Sequence, residues 1–185
     1  KWQIEAVAIG DSPAWGITSH AVEWGADLIV VGSHGRSLME RFFLGSVSHQ
    51  VAVEAACSVH ISRPRPSARA PRILVALDGS LNSLAAVRAV TERNWPLGAA
   101  FQILTLLDSR LLSASAWPGP HTESWVQASD TTGTEWLERV QAAAAKELRA
   151  AGLQVETRLL EGEAKHGLLK HAEGWMADCI VMVAY

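Results

Sequence analysis

The 185-residue chain is 49% apolar and 19% charged, with a net charge of −3; that composition suits one sizeable core or two small ones and excludes the broad basic surface of a nucleic-acid binder. Its two cysteines, Cys57 and Cys179, lie far apart with no C-x-x-C or zinc-ligand spacing, so they read as reduced core thiols in a reducing compartment, and no metal site is expected. Apolar runs stay strand-sized, short of the roughly 18 residues a spanning helix requires, and no signal-peptide core is present, so a soluble globular protein with no membrane anchor of its own is expected.

In chain order, strand-like and helix-periodic stretches alternate, the pattern of parallel βαβ units. "QIEAVAI" (3–9) predicts a strand, "PAWGITSHAVEWG" (13–25) a helix, "DLIVVG" (27–32) a strand, "SVSHQVAVEAA" (46–56) a helix and "SVHIS" (58–62) a strand. "RPRPSARAP" (63–71) is a proline-rich linker. Beyond it come "RILVALD" (72–78), "FQILTLL" (101–107), "QVETRLL" (154–160) and "DCIVMVA" (178–184) as strands. The intervening helices are 81–94, 134–152 and 164–176. Thr132 and Glu135 form a capping box for the longest helix, and Gly152 is placed for its C-terminal cap. Residues 109–133, with Pro118, Gly119 and Pro120, read as a long mobile loop.

An internal repeat organises the chain. Residues 3–34 align without a gap on 154–185, and ten of the 32 pairs are identical, including Gly16/Gly167, His20/His171, Trp24/Trp175 and Asp27/Asp178. Chance would give about two. Residues 1–62 therefore read as the later part of a first repeat, 63–71 as the linker and 72–185 as the earlier part of a second. Lys1 and the terminal apolar run both look like cuts within structure, so the chain is treated as a fragment. The repeated His-Trp face reads as packing, and Asp27 and Asp178 as turn formers.

Chemistry concentrates after the strand "LIVV". "GSHGRSLMERFFLGS", Gly32 to Ser46, has the form G-x2-G-x9-G-S, which arises by chance in about one chain of this length in a hundred. Gly32 and Gly35 are expected to let the backbone turn with positive φ and a phosphate approach main-chain N–H groups. Gly45 and Ser46 open a helix whose N–H groups and dipole favour an anion. Ser33 lies inside this loop. His34, Arg36 and Arg41 each have two readings, a phosphate contact or a solvated side chain. In "RILVALDGS", Asp78 ends a strand where a carboxylate can accept from a ribose or a base amino group; the plainer reading is an Asp-Gly turn. No nucleophile with an adjacent base and no paired carboxylates are visible, so no catalytic residue is assigned.

These stretches together resemble the universal stress protein family, with "ILVALDGS" as a first strand and "CSVHISRP" as a closing strand. The resemblance implies an α/β fold, a doubly wound parallel sheet of Rossmann-like type, here as two incomplete tandem repeats. It implies that Gly32, Gly35, Gly45 and Ser46, with Ser33, His34 and Arg36 between them, cradle the phosphate and ribose of an adenine nucleotide. Asp78 matches the aspartate near the adenine, but of the second copy. The two halves share a pocket only if "RILVALD" runs beside "DLIVVG" in a permuted domain, or if chains exchange strands. Gly32 aligns with Val183, which points to a second copy without its own phosphate loop. A flavodoxin-like receiver is the weaker fold alternative, since no acidic pair accompanies Asp78.

The function implied is a cytoplasmic stress or signalling module that binds ATP, with or without Mg2+, and in which nucleotide modulates dimer or partner contacts. The partner is a second copy of the chain or the other repeat, with no nucleic acid and no membrane. Two other readings stand beside it: a nucleotide-free interaction module, and a slow ATP hydrolase, which requires a positioned water and a metal. A regulatory tail of a larger protein, such as a transporter, is also compatible.

Overall fold

A computed structural model describes residues 3–33, 45–63, 69–80, 82–107 and 133–183. The chain divides into two compact units, Lys1–Arg65 and Pro66–Val183. Residues 34–44, most of the linker, Thr132 and the long loop before it lie outside the described residues.

In the first unit, helix α1 (Pro13–Trp24) leads to strand β1 (Leu28–Gly32), and helix α2 (Ser46–Glu54) to strand β2 (Ser58–Ser62). The two strands pair in parallel, Leu28 opposite Ser58 through Gly32 opposite Ser62. Proline at the first helical position suits α1, because that N–H has no intrahelical partner. One face of the pair is covered: Ala14, Ile29 and Val51 are buried, with Ile17, Val31, Val47 and Val59 packed around them. Alternation turns Leu28 and Val30 the other way, and Val30 is 61% exposed.

The second unit holds β3 (Arg72–Ala76), α3 (Ser83–Thr91), β4 (Ala100–Leu107), α4 (Gly133–Ala150), β5 (Gln154–Glu161), α5 (Ala164–Gly174) and β6 (Cys179–Val181). Its sheet is parallel throughout, in the order β5-β4-β3-β6. Ile73, Val75, Phe101 and Ile103 face α3 and α4, packing on Val87, Val90, Ala144 and Leu148. The alternate residues Leu74 and Leu104 face α5 and bury Ala172, with Leu168, Trp175 and Ile180 around them. A parallel sheet covered on both faces explains why these strands read as continuous apolar runs.

One expected strand is absent. Residues 3–10 carry no strand pairing, and Ile4 is 90% exposed. Their repeat counterparts, 154–161, form β5 because β4 lies alongside. In the first unit β1 pairs with β2, and residues 3–10 join neither strand. Without a neighbour the backbone polar groups gain nothing by adopting strand geometry.

The repeat reappears in three dimensions. Gly25 ends α1 at φ 70, its N–H bonding to Val22 O and that of Ala26 to Ala21 O. The same pattern closes α5, from Met176 to Glu173 O and Ala177 to Ala172 O, but here a methionine sits at φ 54. Asp178 does more than form a turn. Its carboxylate pairs with Arg69 at 2.8 Å and accepts the Arg72 N–H at 2.9 Å, fastening the start of β6 to the start of β3.

Gln102, buried in the middle of β4, donates to Glu156 Oε2 at 3.2 Å, which turns its carbonyl oxygen to His171 Nε2 on α5. His171 therefore carries its proton on Nε2 in the neutral form. Burial, and secondarily the Arg158 guanidinium, hold its pKa below the ordinary histidine value. In the window between the native value and about 6.5 the unfolded chain binds more protons than the folded one, so stability falls as pH drops through it.

Two outcomes are expected. Met176→Gly relieves the left-handed backbone and raises unfolding stability by about 1 kcal/mol in urea titration. His171→Gln flattens the loss of stability on acidification from neutral pH, compared with the unaltered chain in the same titration at each pH.

Candidate functional site

In open parallel sheets, ligands meet the carboxyl ends of strands where the strand order reverses. In the second unit that point lies between β3 and β6: the chain steps outward from β3 through β4 to β5, then returns to the far edge of β3. Asp78 follows β3 and Val183 follows β6, so both stand at this end. In the first unit the corresponding strand end is that of β1, with Gly32 and Ser33.

The first unit draws the ends of its glycine loop together. Gly45 donates its N–H to Ser33 O at 2.8 Å, and Ser48 donates its hydroxyl to Gly32 O at 2.6 Å. Ser33, itself buried, donates its N–H to Ser62 O at 2.9 Å, extending the β1–β2 ladder by one bond. Gly32, Ser33, Gly45 and Ser46 are thereby held against one another. His34, Gly35, Arg36 and Arg41 lie outside the described residues.

Gly45 is the N-cap of α2, with φ −57, and as a glycine it brings no side chain of its own to cap the first turn. The Ser48–Gly32 bond therefore sets the start of α2, the positive end of its dipole, beside the end of β1. Gly32 differs from expectation: it is extended within β1, paired with Ser62, and does not turn with a positive φ.

Asp78 belongs to the second unit. Its Oδ1 accepts the Ser80 N–H at 2.9 Å, Ser80 Oγ accepts the Ser83 N–H at 3.1 Å, and Ser83 Oγ donates to Ser80 O at 2.7 Å. This is an Asp-Gly turn that launches α3. Gly79 sits at φ 83, and a Cβ there would stand 2.9 Å from Leu137 Cδ2 and 3.2 Å from Trp136 Nε1, both on α4. A permuted sheet with "RILVALD" beside "DLIVVG" is not formed: β4 occupies one edge of β3 and β6 the other. Val183, at the position of Gly32 in the repeat, packs its side chain against the main core.

The sequence reading missed Ser48 and the Gly79–Trp136 contact. Ser48 had a faint signal, a second serine at helix position three in "GSVS". The tryptophan had none, because it reaches the turn from a distant helix.

A sequence model of the universal stress protein family matches residues 3–63 and 70–184. Universal stress protein YxiE of Bacillus subtilis is 46% identical over 61 residues, 33% of this chain and 41% of that protein. The chain thus spans less than half the length of that curated relative. A universal stress protein from Archaeoglobus fulgidus superposes with a TM-score of 0.56 at 19% identity, covering 91% of this chain and 52% of the other. A universal stress protein solved in complex with cAMP has a TM-score of 0.44 at 21% identity, covering 61% of this chain and 72% of that one.

Gly79→Ala is expected to lower unfolding stability by about 2 kcal/mol in urea titration, because strain at a positive φ adds to the clash with Leu137 and Trp136. Trp136→Phe in the same background recovers part of that loss by withdrawing the indole nitrogen.

Proposed function

The chain belongs to the universal stress protein family, and on that premise we propose that it binds an adenine nucleotide, ATP foremost, whose occupancy alters dimer or partner contacts. The observation that carries this reading is the pair of bonds that hold the helix N-terminus at Gly45 beside the strand end at Gly32 and Ser33. Phosphates suit such a place, because the N–H donors are already oriented and the dipole opposes their charge.

On this reading Gly32, Ser33, His34, Gly35, Arg36, Gly45 and Ser46 hold the phosphates and ribose. Ser46 adds a hydroxyl donor, and Ser48 is a positioning residue that keeps β1 and α2 together. Mg2+ arrives on the nucleotide's own phosphates. Asp78 is the adenine-side residue of the second unit. Val183 packs on that unit's core where the phosphate loop would start, which favours a packing and interaction role for the second repeat. No described helix is long and apolar enough to cross a membrane, and the proposal places the module in the cytoplasm.

Calorimetric titration of the chain with ATP, alongside Gly35→Val and Asp78→Ala, tests this. Saturable binding is expected, weakened at least about tenfold by Gly35→Val, a loss of roughly 1.4 kcal/mol. Asp78→Ala is expected to bind as the unaltered chain does, and phosphate release to stay at the level of Gly35→Val. Absence of binding at saturating ATP would replace this reading with that of a nucleotide-free interaction module.

A further inference from the structure

We infer that the outer edge of β5 is a self-association site, where a second copy of this chain adds its own β5 antiparallel across a two-fold axis through Thr157. Among the described residues β5 is the terminal strand of its sheet. It runs eight residues in unbroken register with β4, from Gln154 opposite Ala100 to Glu161 opposite Leu107. Solitary edges of this length are ordinarily protected by proline, lysine or a bulge. "QVETRLLE" contains no proline and no lysine, and the continuous register leaves no bulge; its charges are Glu156, Arg158 and Glu161.

The backbone presents the bonding groups that such an addition uses. Gly162 donates its N–H to Leu107 O at 3.0 Å, continuing the ladder to β4. Successive residues of a strand direct their amide groups to opposite sides, so the even-numbered residues of β5 bond toward β4. Val155, Thr157 and Leu159 then direct N–H and C=O outward. Of these, the Val155 carbonyl accepts from Arg149 Nη2 at 2.8 Å, and a carbonyl oxygen accommodates a second donor.

The side chains around Thr157 are self-complementary. A two-fold axis there pairs Thr157 with its own copy, Glu156 with the copy's Arg158, and Val155 with the copy's Leu159. Opposite charges thus face each other twice on one face; on the other, Val155 and Leu159 already pack within each copy's own core. Thr157 forms the pair that exchanges both backbone bonds. Glu156 and Arg158 fall in the closer-spaced pairs, where side-chain interaction is strongest. Both side chains are exposed, 68% and 58%, and within one chain they stand 3.9 Å apart, while Glu156 Oε2 also accepts from Gln102. This is an isologous contact, in which each copy offers the same surface. The repeat counterpart lacks the property, because Val7 replaces Arg158 in "QIEAVAI".

The test is sedimentation of the whole chain over a concentration series, with Glu156→Arg and Arg158→Glu made separately and then mixed. Reversible dimerisation of the unaltered chain is expected. Each variant alone sets like charges opposite one another twice and weakens dimerisation about tenfold. An equimolar mixture restores it, because the mixed pair has opposite charges at both positions. Both sites are exposed, and circular dichroism spectra matching the unaltered chain check that each variant folds. A chain that stays monomeric throughout the series, variants that associate as the unaltered chain does, or a mixture that fails to restore dimers each overturns the proposal.

Discussion

Strand β3 is the element on which the second unit depends, because all four of its surfaces are in use. β4 and β6 take its two edges, α3 and α4 cover one face, and α5 covers the other. A parallel strand requires that coverage, since side chains alternate between two faces and both must leave water. Ile73, Leu74 and Val75 are all fully buried as a result. The same arrangement forces α5 close to the sheet, where Gly167 lies over Leu106 with no room for a Cβ. It also fixes the reversal in strand order that brings Asp78 and Val183 to one end.

The first unit shows what similar residues do with fewer neighbours. α1 and β1 start at residues that the repeat aligns with the starts of α5 and β6, so local sequence suffices to specify those elements. Their environments differ. Val181 packs against the main core, whereas its counterpart Val30 faces outward. Trp175 lies under Arg72, whose guanidinium is 5.8 Å from the ring, whereas Trp24 is exposed. The repeat thus preserves element boundaries while burial follows from which strands are alongside.

At the candidate site two serines complete what the glycines begin. Ser48 donates to Gly32 O and Ser33 O accepts the Gly45 N–H, which ties the strand end to the helix start. A hydrogen bond from a helix side chain to the last carbonyl of a strand holds the helix N-terminus aimed at one place. An anion site requires that, because the dipole's effect fades within the first turn.

Most elements were legible in the sequence, since their apolar periodicities are local and their ends carry glycine or proline punctuation. Residues 58–62 form β2 as read, and Gly152 caps α4 at φ 82. The glycine-serine spacing and the offset of the repeat were equally visible, and they pointed to the family before any coordinates. Strand partnership was not, because pairing joins residues distant in sequence: 3–9 has the composition of a strand and pairs with no described strand. Nor could sequence show that Gln102 bridges Glu156 and His171, or that Trp136 closes over Gly79. The chain's own residues determined the bounds of most elements and where the glycine-serine loop begins; only the tertiary structure decided which edges are filled and which faces are bare, because those depend on contacts that no local pattern encodes.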